Sequence, residues 1–183
     1  QHAQVTTVLD ANHPFATRCG MRAAQYCRGR VLPFARVLRP AWRPIASDQW
    51  RQVTDEAVAG ALIKPGQRVF ATTGLEALAE VTCCQDATFF VRRLSDRSAV
   101  RTFSNVRMVP DEGPFSTEDE IETFRALRID VLVCKNSGGD TSRSKLDAAR
   151  HLGLPVILID RPEQPPGPRF STARDAIEWV TGA

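Results

Sequence analysis

Val131-Leu-Val-Cys-Lys-Asn-Ser-Gly-Gly-Asp140 decides how this chain is read. A short run of buried-strand character passes without a spacer into Lys-Asn-Ser-Gly-Gly, and a helical pattern from Thr141 to Leu152 follows. In parallel α/β sheets, the carboxyl end of a strand and the N-terminus of the next helix leave backbone N–H groups free for anionic groups. The turn therefore reads as a ligand-binding edge. Gly138 and Gly139 permit close backbone approach, Ser137 belongs to the same stretch of free N–H groups, and Lys135 adds a cation. Asn136 carries a paired donor and acceptor suited to an amide-bearing ring. The plain alternative is a tight strand-to-helix turn, which accounts for the glycines but not for Lys135 and Asn136 together.

The same alternation extends through the chain. Strands are predicted at Val5–Asp10, Phe34–Leu38, Arg68–Thr73, Thr88–Arg92, Val106–Val109, Val131–Cys134 and Val156–Ile159. Helices are predicted at Phe15–Arg30, Gln52–Ile63, Leu75–Val81, Thr117–Leu127, Thr141–Leu152 and Ser171–Val180. In the first of these, Cys19, Ala23 and Cys27 mark the expected buried face. Val/Ile/Leu strands separated by helices imply parallel sheets covered on both faces. Pro40 to Asp48 has two prolines and no period, so it reads as a crossing between two lobes. The expected division is 1–45 for the remainder of an N-terminal lobe and 46–183 for a C-terminal lobe.

Composition narrows the function classes. The 183 residues are 43% hydrophobic and 25% charged, an ordinary globular balance; the net charge of +3 is small and scattered and says little about nucleic acid, and no nucleic-acid partner is expected. The five cysteines are odd in number and lack paired metal-ligand spacing, so they read as free thiols with no metal site. No apolar run approaches the ~18 residues of a membrane helix and no charged-then-apolar leader is present, so no membrane partner and a cytoplasmic location are expected.

Other strand exits carry candidate binding residues. His13, Pro14 and Phe15 lie between a strand and a helix; the simpler reading is that Asp10 or Asn12 caps the helix and His13 bonds the turn. Thr72, Thr73 and Gly74 set two hydroxyls and a glycine at a helix entrance, where they would receive a carboxylate or phosphate, or merely cap the helix with Glu76 behind them. Arg92 closes a strand and would hold an anion, whereas strand alternation turns Arg93 to the other face. Gly113, Pro114 and Phe115 form a rigid turn placing an aromatic at a rim, before a capping box of Ser116 or Thr117 with Glu120. Lys145 reads as a solvated helix-face residue.

Five motifs, Asp10-Ala-Asn-His-Pro-Phe-Ala16, Arg39-Pro-Ala-Trp42, Phe70-Ala-Thr-Thr-Gly74, Gly113-Pro-Phe-Ser116 and Lys135-Asn-Ser-Gly-Gly139, occur in the order seen in precorrin-6A reductases, which the chain resembles from about Val5 to its end. The resemblance implies an α/β protein of two Rossmann-like lobes. It further implies NADPH as cofactor and a tetrapyrrole corrin precursor, rich in carboxylates, as substrate. The implied reaction is hydride transfer to one double bond of precorrin-6A, giving precorrin-6B in cobalamin biosynthesis. Such enzymes begin with a strand and a Gly-Gly-Thr loop upstream of the His-Pro-Phe motif, so the first lobe is expected to be truncated at its N-terminus here. Three positions depart from the family pattern: Asn12 stands for Thr, and Leu75 and Glu112 stand for Arg. No catalytic residue follows from the sequence, the proton donor being unassigned between His13 and solvent. The rival reading is a non-redox tetrapyrrole- or anion-binding module of two lobes, the architecture of uroporphyrinogen-III synthase.

Overall fold

The computed structural model describes residues 4–92, 103–109 and 113–182; Arg93 and Glu112 lie outside them. The chain divides into two compact units: 1–42 with 137–139 and 161–183, and 43–136 with 140–160. Each contains a parallel sheet, so the expected α/β class holds.

The first unit has a sheet of β1 (Val8–Asp10), β2 (Phe34–Val37) and β9 (Arg169–Phe170), in the order β1-β2-β9. Its register pairs Asp10 with Arg36 and Arg36 with Arg169. Helix α1 (Thr17–Arg28) buries Gly20, Ala24 and Cys27, one residue round from the expected face, and leaves Cys19 exposed. Gly20 explains the offset. A Cβ there would stand 2.5 Å from Asp10 Oδ2 and 2.6 Å from Pro165 Cγ, so only a glycine lets the helix close over these groups. Helix α6 (Ala173–Thr181) is capped by Thr172, whose hydroxyl accepts from the Asp175 N–H, and sets Trp179 5.8 Å from the Phe170 ring.

The segment Arg161–Ala183 thus folds with the first unit, and a boundary near residue 45 with everything beyond it in one C-terminal lobe does not describe these units. The cause is β9, a two-residue strand that pairs with β2. So short a strand carries no period to read.

The second unit has six parallel strands in the order β3-β8-β7-β4-β5-β6. They are β3 (Trp50–Val53), β4 (Arg68–Thr72), β5 (Thr88–Arg92), β6 (Val106–Val109), β7 (Val131–Lys135) and β8 (Val156–Ile159). The central strands are almost continuously buried: Val69, Phe70, Ala71, Phe89, Val91, Leu132, Val133 and Leu158 are closed to solvent. That is the expected consequence of helices on both faces of a parallel sheet. The helices are α2 (Glu56–Ala61), α3 (Leu78–Val81, preceded by a 3₁₀ turn at Leu75–Ala77), α4 (Thr117–Ala126) and α5 (Ser144–Leu152). Phe124 of α4 packs 4.9 Å from Phe70, ring to ring.

Two local expectations change. β3 begins just beyond the expected crossing and takes the first two residues of the helix expected from Gln52; Asp55 caps that helix by accepting from the Val58 N–H, so α2 begins at Glu56. The capping box of α4 pairs Ser116 with Asp119, not Glu120. This frees Glu120, one residue on, to point into the core.

Candidate functional site

Chain order and sheet order part company twice: β3 lies at the far edge from β4, and a second crossing follows β6. From β4 the sheet grows through β5 to β6, and the chain then crosses to the other side of β4 to lay down β7 and β8. Adjacent strands whose following connections run to opposite sides leave a crevice outside their carboxyl ends, the usual seat of a ligand in an open α/β sheet. Here the adjacent strands are β4 and β7, with Thr72 in register with Cys134. Thr73 and Gly74 continue from one, Lys135 and Asn136 from the other. The switch point of the second unit is therefore built from sequence-predicted binding residues.

At that edge the Thr72 and Thr73 hydroxyls are buried without a hydrogen-bond partner. Thr73 is only 3% exposed, and a hydroxyl hidden from water without a partner costs on the order of 1–3 kcal/mol. Gly74 is exposed and adopts a left-handed backbone, φ 86°. Asn136 is buried, its N–H donating to Ile159 O at 2.9 Å. Neither threonine caps α3, whose N-cap is Ala77.

Both cations expected at this edge have carboxylate partners. Arg92 forms a two-pronged bond with Glu120, Nη1 to Oε1 and Nη2 to Oε2, the latter at 2.9 Å. Its guanidinium also lies 3.9 Å from the centroid of Phe115 and 4.9 Å from that of Phe70. Arg92 is thus the plate on which Phe115 rests, and its Nε is buried without a hydrogen-bond partner among the described residues. Gly113 and Pro114, joined by a cis peptide bond, are exposed and lead into that ring. Lys135 Nζ stands 2.9 Å from Glu56 Oε1 on α2. Lys145 is half-buried, not solvated: its Nζ donates to Ser142 O at 2.6 Å. It also opposes the effect of burial on Cys134, whose thiol is pushed up to about 11 chiefly by desolvation.

The first unit holds the other predicted residues at the carboxyl end of its own sheet. His13 is exposed and its Nδ1 accepts from the Phe15 N–H at 3.2 Å; its ring lies 5.8 Å from that of Phe15. Pro14 is buried, and its carbonyl accepts from Gln164 Nε2 at 3.1 Å. Asp10 caps nothing on α1. It accepts instead from the Asn12 backbone and amide and lies 3.6 Å from Arg36 Nε, while Arg36 Nη2 donates to His13 O at 3.0 Å.

The glycine turn is more occupied than its sequence implies. The Gly139 N–H donates to Pro40 O at 3.3 Å, so it is not a free donor. Trp42 Nε1 donates to Gly139 O at 2.7 Å, and Arg161 donates to both Arg39 O and Ser137 O. Both glycines have left-handed φ, 68° and 73°; a Cβ at Gly138 would collide with Arg161 Nη2 and Pro40 O, and one at Gly139 would stand 2.8 Å from Arg39 Cδ. Burial, with the nearby charges of Arg39 and Arg36 behind it, lowers the pKa of Arg161 from the usual arginine value.

Glu120, Glu56 and Arg161 were not legible as site residues. Glu120 looked like a cap, Glu56 is an ordinary first-turn acid, and Arg161 opens a proline-rich loop. The Arg39-Pro-Ala-Trp42 motif was the one available signal for the strap across the glycines.

Similarity to known proteins agrees with this geometry. The family model of precorrin-6x reductase CbiJ/CobK matches residues 1–181. The precorrin-6A reductase of Rhodococcus erythropolis is 37% identical over 178 residues, 96% of this chain and 71% of that protein. That of Mycobacterium tuberculosis (strain CDC 1551 / Oshkosh) is 36% identical over 181 residues, covering 98% and 73% respectively. A solved structure, CobK precorrin-6A reductase, superposes with a TM-score of 0.92 at 32% identity over 97% of this chain and 73% of that one. By the match along nearly its whole length, the chain belongs to the precorrin-6x reductase family, oxidoreductases of cobalamin biosynthesis.

Proposed function

We propose that the chain reduces precorrin-6A to precorrin-6B with NADPH as hydride donor, in the cytoplasm, and that its ligands bind at the carboxyl edges described above. The observation that carries this reading is the pair of buried, unpartnered hydroxyls of Thr72 and Thr73 beside Asn136 at the switch point. A buried polar group without a partner in the folded chain calls for one, and a ligand at this edge would supply it. Two hydroxyls and a buried amide fit a neutral or anionic oxygen-rich group, such as a carboxamide, a ribose or a phosphate, better than a cation.

When bound, NADPH supplies the hydride, and the protein's task is to set distance, face and surrounding charge. Thr72 and Thr73 donate or accept at the ligand's polar rim, and Asn136 fixes orientation through its two-sided amide. Phe115, resting on Arg92, covers a flat ring from above the carboxyl end of β5. Pairing Arg92 with Glu120 and Lys135 with Glu56 keeps this edge close to neutral, which suits an uncharged conjugated ring more than a string of carboxylates. In the first unit, His13, Pro14, Phe15 and the Ser137–Gly139 turn offer a second edge. The proton that accompanies the hydride has no assigned donor; His13 is a candidate, although its Nδ1 already accepts from the Phe15 N–H.

The test is anaerobic incubation of the purified chain with precorrin-6A and NADPH, following loss of reduced-nicotinamide absorbance and the mass of the tetrapyrrole. A gain of two hydrogens matched to NADPH oxidised supports the proposal. Equal turnover with NADH would remove the cofactor assignment, and turnover without any nicotinamide would remove the hydride mechanism.

A further inference from the structure

We propose that Arg161 is a positioning residue for the reduction: its guanidinium clasps the Ser137–Gly139 turn to the Arg39–Trp42 segment and so fixes the backbone that follows Asn136. The inference rests on the reading of this turn as part of a ligand edge. Arg161 comes from after β8, yet its Nη1 donates to Arg39 O at 2.8 Å and its Nη2 to Ser137 O at 3.0 Å. Two carbonyls from segments about a hundred residues apart in the chain are thereby held at the fixed spacing of one planar fork. A lysine, with one nitrogen on a flexible stem, does not impose that spacing.

Two further bonds close the clasp from the other side. The Gly139 N–H reaches Pro40 O, and the indole N–H of Trp42, itself only 4% exposed, reaches Gly139 O. The glycines fit the same arrangement. Any side chain at 138 would occupy the place of Arg161 Nη2 and Pro40 O, and one at 139 would push against the Arg39 stem. The motif's small residues are thus required by the strap as well as by any ligand. Since displacement of a binding group by about 1 Å costs up to about a hundredfold in rate, a clasp of four hydrogen bonds on the turn has a direct route to catalysis.

The experiment uses the full chain and compares Arg161→Ala, Arg161→Lys, Trp42→Phe and Asn136→Ala for kcat, for KM of precorrin-6A and of NADPH, and for melting temperature. The expected result is that Arg161→Ala raises at least one KM by about tenfold, with Arg161→Lys intermediate and Trp42→Phe shifting the same KM in the same direction. A residue that only supports stability would lower the melting temperature and leave both KM values alone. Wild-type kinetic constants in Arg161→Ala overturn the proposal. Should that variant fail to fold, Arg161→Lys decides: an intermediate KM supports the clasp, and a wild-type one overturns it. Asn136→Ala separates the two readings. If it leaves kinetics untouched while Arg161→Ala does not, the ligand edge at Asn136 falls and the clasp stands; the reverse pattern sinks the clasp alone.

Discussion

At the scale of single residues, Thr73 and Glu120 have opposite reasons to be buried. The Thr73 hydroxyl lacks a partner in the folded chain, so exchanging it for a methyl removes an unmet polar group without changing shape. Thr73→Val is therefore expected to leave stability unchanged or raise it by about 1 kcal/mol, while weakening ligand binding about tenfold. Urea denaturation and NADPH fluorescence titration, run on the same preparation, measure the two effects. A destabilised variant with unchanged affinity would reverse the assignment of this hydroxyl to a ligand. Glu120 is the contrary case, since it neutralises Arg92, whose side chain is 9% exposed against 2% for the glutamate. Removing one member of such a pair leaves a charge stranded, so Glu120→Ala should cost about 3 kcal/mol in urea unfolding, with Glu120→Gln costing less. The residue types at the edge were readable beforehand: Thr72, Thr73, Lys135 and Asn136 stood out because polar residues directly follow buried strands. Their partners were not. Glu56 and Glu120 lie on helices, and only the folded sheet brings them to Lys135 and Arg92.

At the scale of elements, the sequence was a good guide where burial is continuous and a poor one at sheet edges. β4, β5, β7 and β8 are runs of Val, Ile, Leu and Phe closed to solvent, and hydrophobicity alone marks them. β3 exposes Arg51 and Gln52 and, among the described residues, pairs only with β8, so its strand character comes from a neighbour about a hundred residues away. Helix starts followed cap chemistry more closely than apolar period. Asp55 accepts from the Val58 N–H and Asp119 from the Ser116 N–H, and these bonds hold both carboxyls below the ordinary aspartate value of 3.8. A lowered folded-state value means that this stabilisation is present at and above the ordinary carboxylate range and is lost as pH falls through it. The N-termini of α2 and α4 should accordingly fray first on acidification below about pH 4, seen as early loss of amide protection at Val58 and Ser116. Ser116→Ala, which removes the hydroxyl that accepts from the Asp119 N–H and donates to its carboxylate, should lower stability by about 1 kcal/mol at neutral pH. Amide protection at both N-termini that survives acid as well as the central strands do would contradict this view.

At the scale of the whole molecule, the two units are not consecutive pieces of chain. The second leaves the sequence to the first at Ser137–Gly139 and again from Arg161 onward. The long-range links within the first unit are few in residues but specific in chemistry: β9 supplies two residues to β2, α6 packs on those strands, and Arg161 donates one hydrogen bond each to Arg39 and Ser137. None of this has a periodic signature, which is why a simple boundary near residue 45 was the natural expectation. It leads to a prediction that separates the two descriptions. If Arg161–Ala183 belonged to the second sheet, a chain ending at Asp160 would lose protection in β7 and β8. With β9 paired to β2, that truncation should strip protection from β1 and β2 and leave the six-stranded sheet slow to exchange, because β3 through β8 keep every strand neighbour they have. Hydrogen exchange read by mass spectrometry, peptide by peptide, reports both sheets at once. Protection that collapses in Val131–Lys135 while Phe34–Val37 stays closed would return the carboxyl-terminal segment to the second lobe.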